Sequence, residues 1–452
     1  MIGFDYGTSN CSVAHMQDGK PHIIPLLESN CYLPSNLYAP GRDIIVNWLS
    51  QQLSPEQQLA FKQARGPQLQ KGQAVLRELA FDGISSNLLF GKAALDKYLE
   101  DPEEGYYIKS PKSFLGASGL VPLQIQLFED IVAAMMSNVK TLTEERLQRQ
   151  VTKTVIGRPI NFQGLHGEES NRQAINVLTN AAKRVGFVDV EFQYEPVAAG
   201  FEFEASLDKE TRVLVVDIGG GTSDCSMLLM GPQFSSCTSR VEHLLAHSGV
   251  RVAGNDFDIQ LALRGIMPSL GMNGTSKTGK PLPTSSFKQA IAVNNINEQT
   301  EFYSAKNRRD LAQLARDAQQ SDVVGRLLTV HDKKLSYQLV NNAEQAKIAL
   351  SESELQHINL NDISNGLSVE VNRELLRQAN SHTLNSIAAL MKEAVNKAQC
   401  QPDVIFVTGG TAKSPVLNEF LQEQMPNIPV VIGDHFGSVT AGLARWADKI
   451  FR

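Results

Sequence analysis

The chain has 452 residues, of which 42% are hydrophobic, and it carries a formal net charge of −6 with a pI near 5.9. This length exceeds the usual size of a single hydrophobic core, so we expect two or more compact units. The charge balance argues against a nucleic-acid-coating surface, which needs clustered Lys and Arg, and no apolar run approaches the roughly 18 residues of a membrane span. Five cysteines without C-x-x-C spacing and an N-terminus without a leader pattern predict a cytoplasmic protein with reduced thiols.

The chain opens with a predicted strand, a glycine turn and a second strand. Asp5 ends the first apolar run, and the second strand runs from Cys11 to Met16. The turn between them consists of Gly7, Thr8, Ser9 and Asn10. Glycine lacks a Cβ and tolerates positive φ, so this turn can bring backbone amides and hydroxyls close to a bound anion. An aspartate beside the turn can hold Mg²⁺ through water, although a plain tight hairpin would use the same residues.

An insertion and then an alternation of helices and strands follow. Residues 36–105 are mixed and polar, with a Gln-rich stretch at 51–73 that is typical of a solvent-facing helix, and they indicate an inserted subdomain. Residues 122–149 predict a helix, 151–159 a strand, and 171–186 a second helix that ends at glycine. The chain therefore has the pattern of an α/β protein.

A second strand–turn–strand unit repeats the N-terminal one. Asp217 ends the apolar run that begins at Val213, and the following strand runs from Cys225 to Met230. The turn consists of Gly219, Gly220, Gly221 and Thr222. Either turn alone has the plain hairpin as its alternative. Two such units at the starts of two halves predict two lobes that grip one nucleotide.

The C-terminal half contains a near-match to a phosphate-binding motif and a third glycine turn. Residues 274–280 nearly match a P-loop, but Pro281 replaces the Ser or Thr that binds Mg²⁺ and no apolar strand precedes it, so we reject that motif. Residues 287–350 are largely helical in pattern. A strand at 403–408 leads into Gly409, Gly410 and Thr411. The last predicted elements are a strand at 430–433 and a helix at 438–449.

These motifs resemble those of a known superfamily. Residues 5–10, 217–224 and 408–411 are similar to the two phosphate motifs and the adenosine motif of the actin-like ATPases. Within that superfamily the chain resembles the nucleotide-binding domain of the heat shock protein 70 chaperones over nearly its whole length. Further matches to this family lie at 112–116, 195–200, 254–258 and 344–351. The resemblance implies an α/β fold of the actin-like ATPase type, with two ribonuclease-H-like lobes that each carry an inserted subdomain.

The resemblance also implies domain boundaries. The first lobe would span 1–205 with an inserted subdomain at about 36–120, and the strand and helix of 430–452 would return to it. The second lobe would span 206–429 with an inserted subdomain at about 250–355. Family members continue into a β-rich substrate-binding domain and a helical lid, and this chain is expected to lack both.

Residue roles follow from the resemblance where the motifs match. Asp5 and Asp217 would hold hydrated Mg²⁺, while Lys112 would neutralise γ-phosphate charge and Glu195 would orient the attacking water. The catalytic residues implied in this way are Asp5, Lys112, Glu195, Asp217 and Thr222. The cofactor-binding residues of the two turns are Gly7, Thr8, Ser9, Asn10, Gly219, Gly220, Gly221 and Thr222.

Two further segments are implied to contact adenosine. Glu344, Lys347 and Ser351 stand at i, i+3 and i+7, on one face of a predicted helix. The other side would be formed by Gly409, Gly410, Thr411 and Lys413. A solvated helix face is the alternative for the first set.

The function implied by the resemblance is that of a slow, chaperone-like ATPase. ATP or ADP with Mg²⁺ would be its cofactors, and the nucleotide-gated cleft would control the binding of a client or co-chaperone protein. We expect a monomer. Two alternatives remain open: a small-molecule kinase of the sugar type, which would pass the γ-phosphate to a metabolite, and an actin-like filament protein.

Overall fold

The structure, a computed structural model, describes residues 1–28, 30–100, 105–162, 167–234, 237, 240–433 and 437–452. The chain divides into two compact units. The first comprises Met1–Arg251, Ala389–Ala412 and Met425–Arg452, and the second comprises Val252–Ala388 and Lys413–Gln424. This division does not follow the predicted lobe boundaries, which stay a prediction.

Helices and strands alternate from Leu89 to Ile218 and again from Val404 to Phe451, and the first of these segments contains residues 122–186, where the sequence pattern predicts alternation. The strands are β1 (Ile2–Tyr6), β2 (Asn10–Gln17), β3 (Lys20–Ile23), β4 (Leu33–Pro34), β5 (Asn36–Ala39), β6 (Leu89–Phe90), β7 (Tyr106–Lys109), β8 (Lys153–Arg158), β9 (Asp189–Tyr194), β10 (Thr211–Ile218), β11 (Ser223–Met230), β12 (Leu244–Val250), β13 (Leu355–Asn359), β14 (Ser368–Asn372), β15 (Val404–Thr408) and β16 (Val430–Ile432). The α-helices are α1 (Ile45–Gln52), α2 (Pro55–Phe81), α3 (Lys92–Glu100), α4 (Pro122–Leu147), α5 (Glu168–Arg184), α6 (Glu195–Glu204), α7 (Gly254–Leu261), α8 (Ser285–Ile291), α9 (Ile296–Phe302), α10 (Ala305–Asp317), α11 (Ser321–Asp332), α12 (Ser336–Ala349), α13 (Arg373–Ala379), α14 (Ser381–Ala398), α15 (Pro415–Gln424) and α16 (Gly437–Phe451).

The first unit contains a mixed sheet with the strand order β3-β2-β1-β8-β9, and β4 also pairs with β2. β1 pairs antiparallel with β2 and parallel with β8, so the first strand–turn–strand unit forms the middle of the sheet. Phe4, Tyr6, Cys11 and Val13 are fully buried. The runs of buried residues in β1 and β2 are typical of strands in a sheet whose two faces are both covered.

A second sheet of the first unit repeats this pattern with the order β12-β11-β10-β15-β16. β10 pairs antiparallel with β11 and parallel with β15. β16 pairs with β15 at the edge of this sheet. The family resemblance implied instead that the strand at 430–433 would return to the first lobe. The final helix α16 does pack against β1, β2 and β8 of the first sheet.

A small subdomain lies within the predicted insertion. β5 pairs antiparallel with β6 and β7, and α1 packs against α2 and α4. The Gln-rich stretch begins at the end of α1 and lies mainly in α2, which begins with a capping box formed by Ser54 and Gln57. α2 bends at Arg65, whose φ of −126° and ψ of 20° leave the helical region just before Gly66 and Pro67.

A buried cluster of ion pairs ties α2 to α4 and α5. Arg65 Nε lies 2.9 Å from Asp130 Oδ2, and Arg65 Nη2 lies 3.1 Å from Glu129 Oε1. Arg184 pairs with the same two carboxylates. The Arg65 side chain is only 6% exposed. The negative charges of Glu129 and Asp130 are therefore balanced by arginines that are themselves largely buried.

The second unit is mainly helical and contains the β13–β14 hairpin. In the segment that resembled a P-loop, Thr275 pairs with Pro281 across a tight antiparallel bridge. Pro281 therefore closes a small turn and does not begin a helix, which agrees with the rejection of that motif. In the part of the chain that the structure describes, no helix has both the length and the apolar character needed to cross a membrane.

Candidate functional site

Both glycine turns connect central strands in the first unit. Asp5 lies on β1, and residues 7–9 lead into β2, which begins at Asn10. In the second sheet, the turn between β10 and β11 is closed by a 3.0 Å hydrogen bond from Gly219 N to Thr222 O. Each turn therefore follows directly from the antiparallel pairing of its two flanking strands.

The two turns lie against each other. A Cβ added to Gly220 would overlap Ser9 Oγ, and a Cβ added to Gly221 would lie 2.9 Å from Thr8 Cγ2. Side chains larger than hydrogen at these two glycines would separate the turns. The structure thus brings together the residues that the sequence implied would bind phosphate.

Lys112 and Glu195 form a buried ion pair in the same unit. Lys112 lies in the 3₁₀ turn Pro111–Phe114, and Glu195 is the first residue of α6. Lys112 Nζ lies 2.5 Å from Glu195 Oε1 and 3.5 Å from the carbonyl oxygen of Gly157. Burial opposes the charge of Lys112, but Glu195 and then Asp5 outweigh that effect and raise its pKa. Two of the five implied catalytic residues, Lys112 and Glu195, are therefore in direct contact.

The two aspartates implied to hold Mg²⁺ share this electrostatic environment. Burial, followed by the charge of Glu195, raises the pKa of Asp5 to about 7 against the opposing effect of Lys112. Burial raises the pKa of Asp217 well above its usual value, and Glu195 and Asp224 add to the rise. Negative charge at this site is therefore poorly compensated by the protein alone.

Asp224 lies in this site, although the sequence analysis assigned it no role. It is 1% exposed, accepts a 3.1 Å hydrogen bond from Ile160 N and forms a side-chain hydrogen bond with Thr222. Burial, with Glu195, raises the pKa of Asp224 to about 7. Its position was available in the sequence, because antiparallel pairing about the second turn sets Asp224 opposite Asp217.

The third glycine turn approaches Asp217 from β15. Gly409 has φ +90°, and a Cβ there would overlap the Ile218 carbonyl and lie 2.8 Å from Asp217 Oδ1. Gly409 is therefore needed both for its backbone conformation and for its proximity to Asp217. Thr408 stands opposite Asp217 in the parallel pair, and within the described residues its buried Oγ1 has no hydrogen-bond partner.

The remaining residues of the third segment differ in exposure. Thr411 is buried, and its backbone N lies 3.4 Å from the Ile218 carbonyl oxygen. Gly410 and Lys413 are exposed, and Lys413 falls in the second unit.

The other implied adenosine contacts lie in the second unit. Lys347 Nζ lies 2.7 Å from Asp258 Oδ1 and 3.3 Å from the Gly254 carbonyl oxygen, both on α7. Glu344 and Lys347 lie on α12, which ends at Ala349, so Ser351 follows the helix. A common adenosine site formed by these three residues stays a prediction.

The donor set of the first unit fits a hydrated divalent cation. Asp5, Glu195, Asp217 and Asp224 interact electrostatically around Lys112. Oxygen ligands suit Mg²⁺, which keeps several of its waters in protein sites. Within the described residues, no group of three or more His, Cys, Asp or Glu side chains is arranged to ligate a metal ion. Carboxylates can hold such an ion through its water ligands.

Comparisons with known proteins found one family model and one curated relative to which this chain is similar. Residues 124–262 match the family model described as Hsp70 protein. Over 314 residues, the chain is 27% identical to the chaperone protein DnaK of Carsonella ruddii (strain PV). The match covers 67% of this chain and 46% of that protein, so the chain spans about half the length of this curated relative. The resemblance to the heat shock protein 70 nucleotide-binding domain is confirmed, and with it the fold class of the actin-like ATPases.

Proposed function

We propose that the chain is a chaperone-like, ATP-binding protein that hydrolyses ATP slowly. The observation that carries this proposal is the cluster of buried carboxylates around Lys112, where the two glycine turns meet. Backbone amides of glycine turns bind phosphate oxygens, and clustered carboxylates attract a divalent cation. The similarity to the Hsp70 family model and to DnaK also supports ATP binding and hydrolysis.

Charge balance is the physical basis for the magnesium part of the proposal. The pKa of Asp5 and of Asp224, each raised to about 7, reflects burial beside other carboxylates. Bound Mg²⁺ supplies positive charge and polarises phosphate oxygens. Asp5 and Asp217 would hold its water ligands, and this would favour their ionised forms.

The residues of the chain would then position and stabilise the reacting groups. Lys112 is already fixed by Glu195 and by the Gly157 carbonyl, so its charge needs little reorganisation to act on a phosphate group. Glu195 would accept a hydrogen bond from the attacking water and orient it. Thr8 and Ser9 would donate their hydroxyl hydrogen bonds to phosphate oxygens.

Calorimetric titration of ATP and of ADP, each with Mg²⁺, into the full chain tests the binding proposal. The wild type is expected to bind both, and Asp217→Asn should weaken binding by about 10- to 100-fold because it removes a carboxylate that orients the hydrated cation. Asp18→Asn is the matched control, since Asp18 is exposed in the turn between β2 and β3. The proposal fails if the wild type binds neither nucleotide, or if both variants bind as the wild type does.

We also propose that nucleotide state controls the binding of a client or co-chaperone protein. This rests on the relationship to DnaK, of which the chain matches 46%. The test is suppression of aggregation of a heat-unfolded model enzyme, measured with ATP, with ADP and without nucleotide. Different suppression in the three states supports the proposal, and no suppression in any of them contradicts it.

A further inference from the structure

A row of three polar side chains crosses the second sheet where β10 leads into the second glycine turn. In the antiparallel pair of β10 and β11, Asp217 stands opposite Asp224, and in the parallel pair of β10 and β15 it stands opposite Thr408. Residues that are paired across neighbouring strands project their side chains from the same face of a sheet. The Thr408 hydroxyl therefore lies on the same face as the two carboxylates.

That face of the sheet is covered by α6. Residues two and four positions before Asp217 and before Thr408 lie on the same face, and all four belong to one buried apolar cluster with residues of α6: Val213, Val215, Val404 and Phe406. The helix begins with Glu195 and packs against β10, β11 and β15. Thr408 thus lies between the sheet and the helix that carries Glu195.

The three members of the row differ in their hydrogen bonds. Asp224 accepts a 3.1 Å hydrogen bond from Ile160 N and also bonds with Thr222. Burial and neighbouring charges shift the pKa of Asp217, and within the described residues no hydrogen bond contributes to that shift. Thr408 is 0% exposed, and its Oγ1 has no partner in the same part of the chain. A carboxylate that lacks a donor therefore stands beside a hydroxyl that lacks an acceptor.

The Asp217 carboxylate also reaches the end of β15. Its Oδ1 lies 2.8 Å from the position that a Cβ on Gly409 would take, and Gly409 directly follows Thr408. Side chains of directly paired residues have Cβ atoms about 4.5–5.5 Å apart, so rotation of the two side chains is enough to join them by a hydrogen bond.

This hydrogen bond gains its value when Asp217 is ionised. A buried hydroxyl without a partner contributes nothing to folding and has lost its hydration. Hydrogen bonds to an ionised carboxylate are roughly twice as strong as those between neutral groups. A carboxylate that holds the water ligands of Mg²⁺ is ionised, so the hydroxyl would stabilise the cation-bound state in particular.

We propose that Thr408 is a positioning residue, whose hydroxyl donates a hydrogen bond to the ionised Asp217 carboxylate and orients it toward a water ligand of bound Mg²⁺. Thr408 acts through Asp217 and touches neither the cation nor the nucleotide. This inference rests on the proposed nucleotide function and adds to it a residue to which the sequence analysis assigned no role.

Three variants of the full chain test this role. Thr408→Val keeps the shape of the side chain without its hydroxyl, whereas Thr408→Ser keeps the hydroxyl. Thr154→Val is the matched control, because Thr154 of β8 is also 0% exposed and its Oγ1 also lacks a partner among the described residues. Thr154 stands opposite Ile2 in the first sheet, away from the row. ATP is titrated into each protein by calorimetry, once in excess Mg²⁺ and once in excess EDTA.

Thr408→Val is expected to weaken binding of Mg²⁺-ATP about tenfold, as a lost hydrogen bond to a charged group implies. Its binding of ATP in EDTA should equal that of the wild type, because no cation is then held. Thr408→Ser should restore Mg²⁺-ATP binding, and Thr154→Val should bind as the wild type does. A role in folding alone would instead weaken binding equally in Mg²⁺ and EDTA and lower the thermal midpoint of the nucleotide-free protein.

The failure of this proposal differs from the failure of the proposed function. Wild-type Mg²⁺-ATP affinity in Thr408→Val, equal losses in Mg²⁺ and EDTA, or an equal loss in Thr408→Ser or Thr154→Val overturns the role of Thr408 and leaves the nucleotide site in place. A wild type that binds no ATP overturns the proposed function and this role with it. If Thr408→Val does not fold, Thr408→Ala compared with Thr154→Ala decides by the same criteria.

Discussion

Replacing Gly409 by alanine tests the geometry of the candidate site at one atom. Gly409 has φ +90°, and its missing Cβ leaves room for the Ile218 carbonyl and for Asp217 Oδ1. Alanine would therefore add a backbone penalty and a steric penalty together. Gly119 separates the two, because it has φ +77° and no atom lies within 4 Å of the position of a Cβ there.

The expected magnitudes follow from these two environments. An L-residue in the left-handed region costs about 1–2 kcal/mol, and the gain from a stiffer unfolded chain offsets about 0.4–1 kcal/mol of it. Gly119→Ala should therefore destabilise the protein by about 0–1.6 kcal/mol. Gly409→Ala carries an additional overpacking cost of about 1–3 kcal/mol, since the overlapping Ile218 carbonyl belongs to the backbone and cannot rotate away, while the Asp217 side chain can shift.

Urea unfolding and nucleotide calorimetry on the two variants provide the assay. Gly409→Ala is expected to have the lower urea midpoint and to bind Mg²⁺-ATP more weakly, because Asp217 must shift to make room for the methyl group. Gly119→Ala is expected to bind as the wild type does. Equal midpoints for the two variants together with wild-type affinity in Gly409→Ala would refute the argument.

Four substitutions, at Asp217, Thr408, Arg65 and Lys71, have definite expected outcomes. Asp217→Asn should raise the thermal unfolding midpoint of the nucleotide-free protein at pH 8 while it weakens Mg²⁺-nucleotide binding, since it removes one of several buried carboxylates. Thr408→Val should leave the thermal midpoint unchanged or raise it, because the buried hydroxyl lacks a partner within the described residues. Arg65→Ala should cost about 3–5 kcal/mol in urea unfolding, whereas Lys71→Ala, at an exposed pair, should cost about 1 kcal/mol or less.

Local patterns predicted much of the fold. An apolar run, an aspartate, a glycine turn and a second apolar run are enough to specify β1–β2 and β10–β11, because both strands of each hairpin are close in sequence. The helices α4 and α5 and the strand β8 also formed close to their predicted bounds. The position of β16 could not be predicted, since a three-residue strand gains its partner from long-range packing.

The candidate site was predictable only in part. Glycines, hydroxyls and aspartates of the two turns are visible in the sequence because the turn geometry demands them. The contact between Lys112 and Glu195, 83 residues apart, depends on tertiary structure. The pairing of Lys347 with Asp258 also depends on tertiary structure, and the sequence analysis assigned Lys347 only to an adenosine contact. The position of Asp224 opposite Asp217 could be inferred from the antiparallel pairing of the two hairpin strands, but its burial could not.

Single-turnover release of free phosphate from Mg²⁺-ATP, without an added acceptor, is the most direct test of the central claim. The account predicts slow release by the wild type and its loss in Lys112→Met, while ATP binding persists. Release by Lys112→Met at the wild-type rate, or tight binding by the wild type with no release, would contradict hydrolysis at this site. Phosphate that appears only on an added metabolite would favour a kinase.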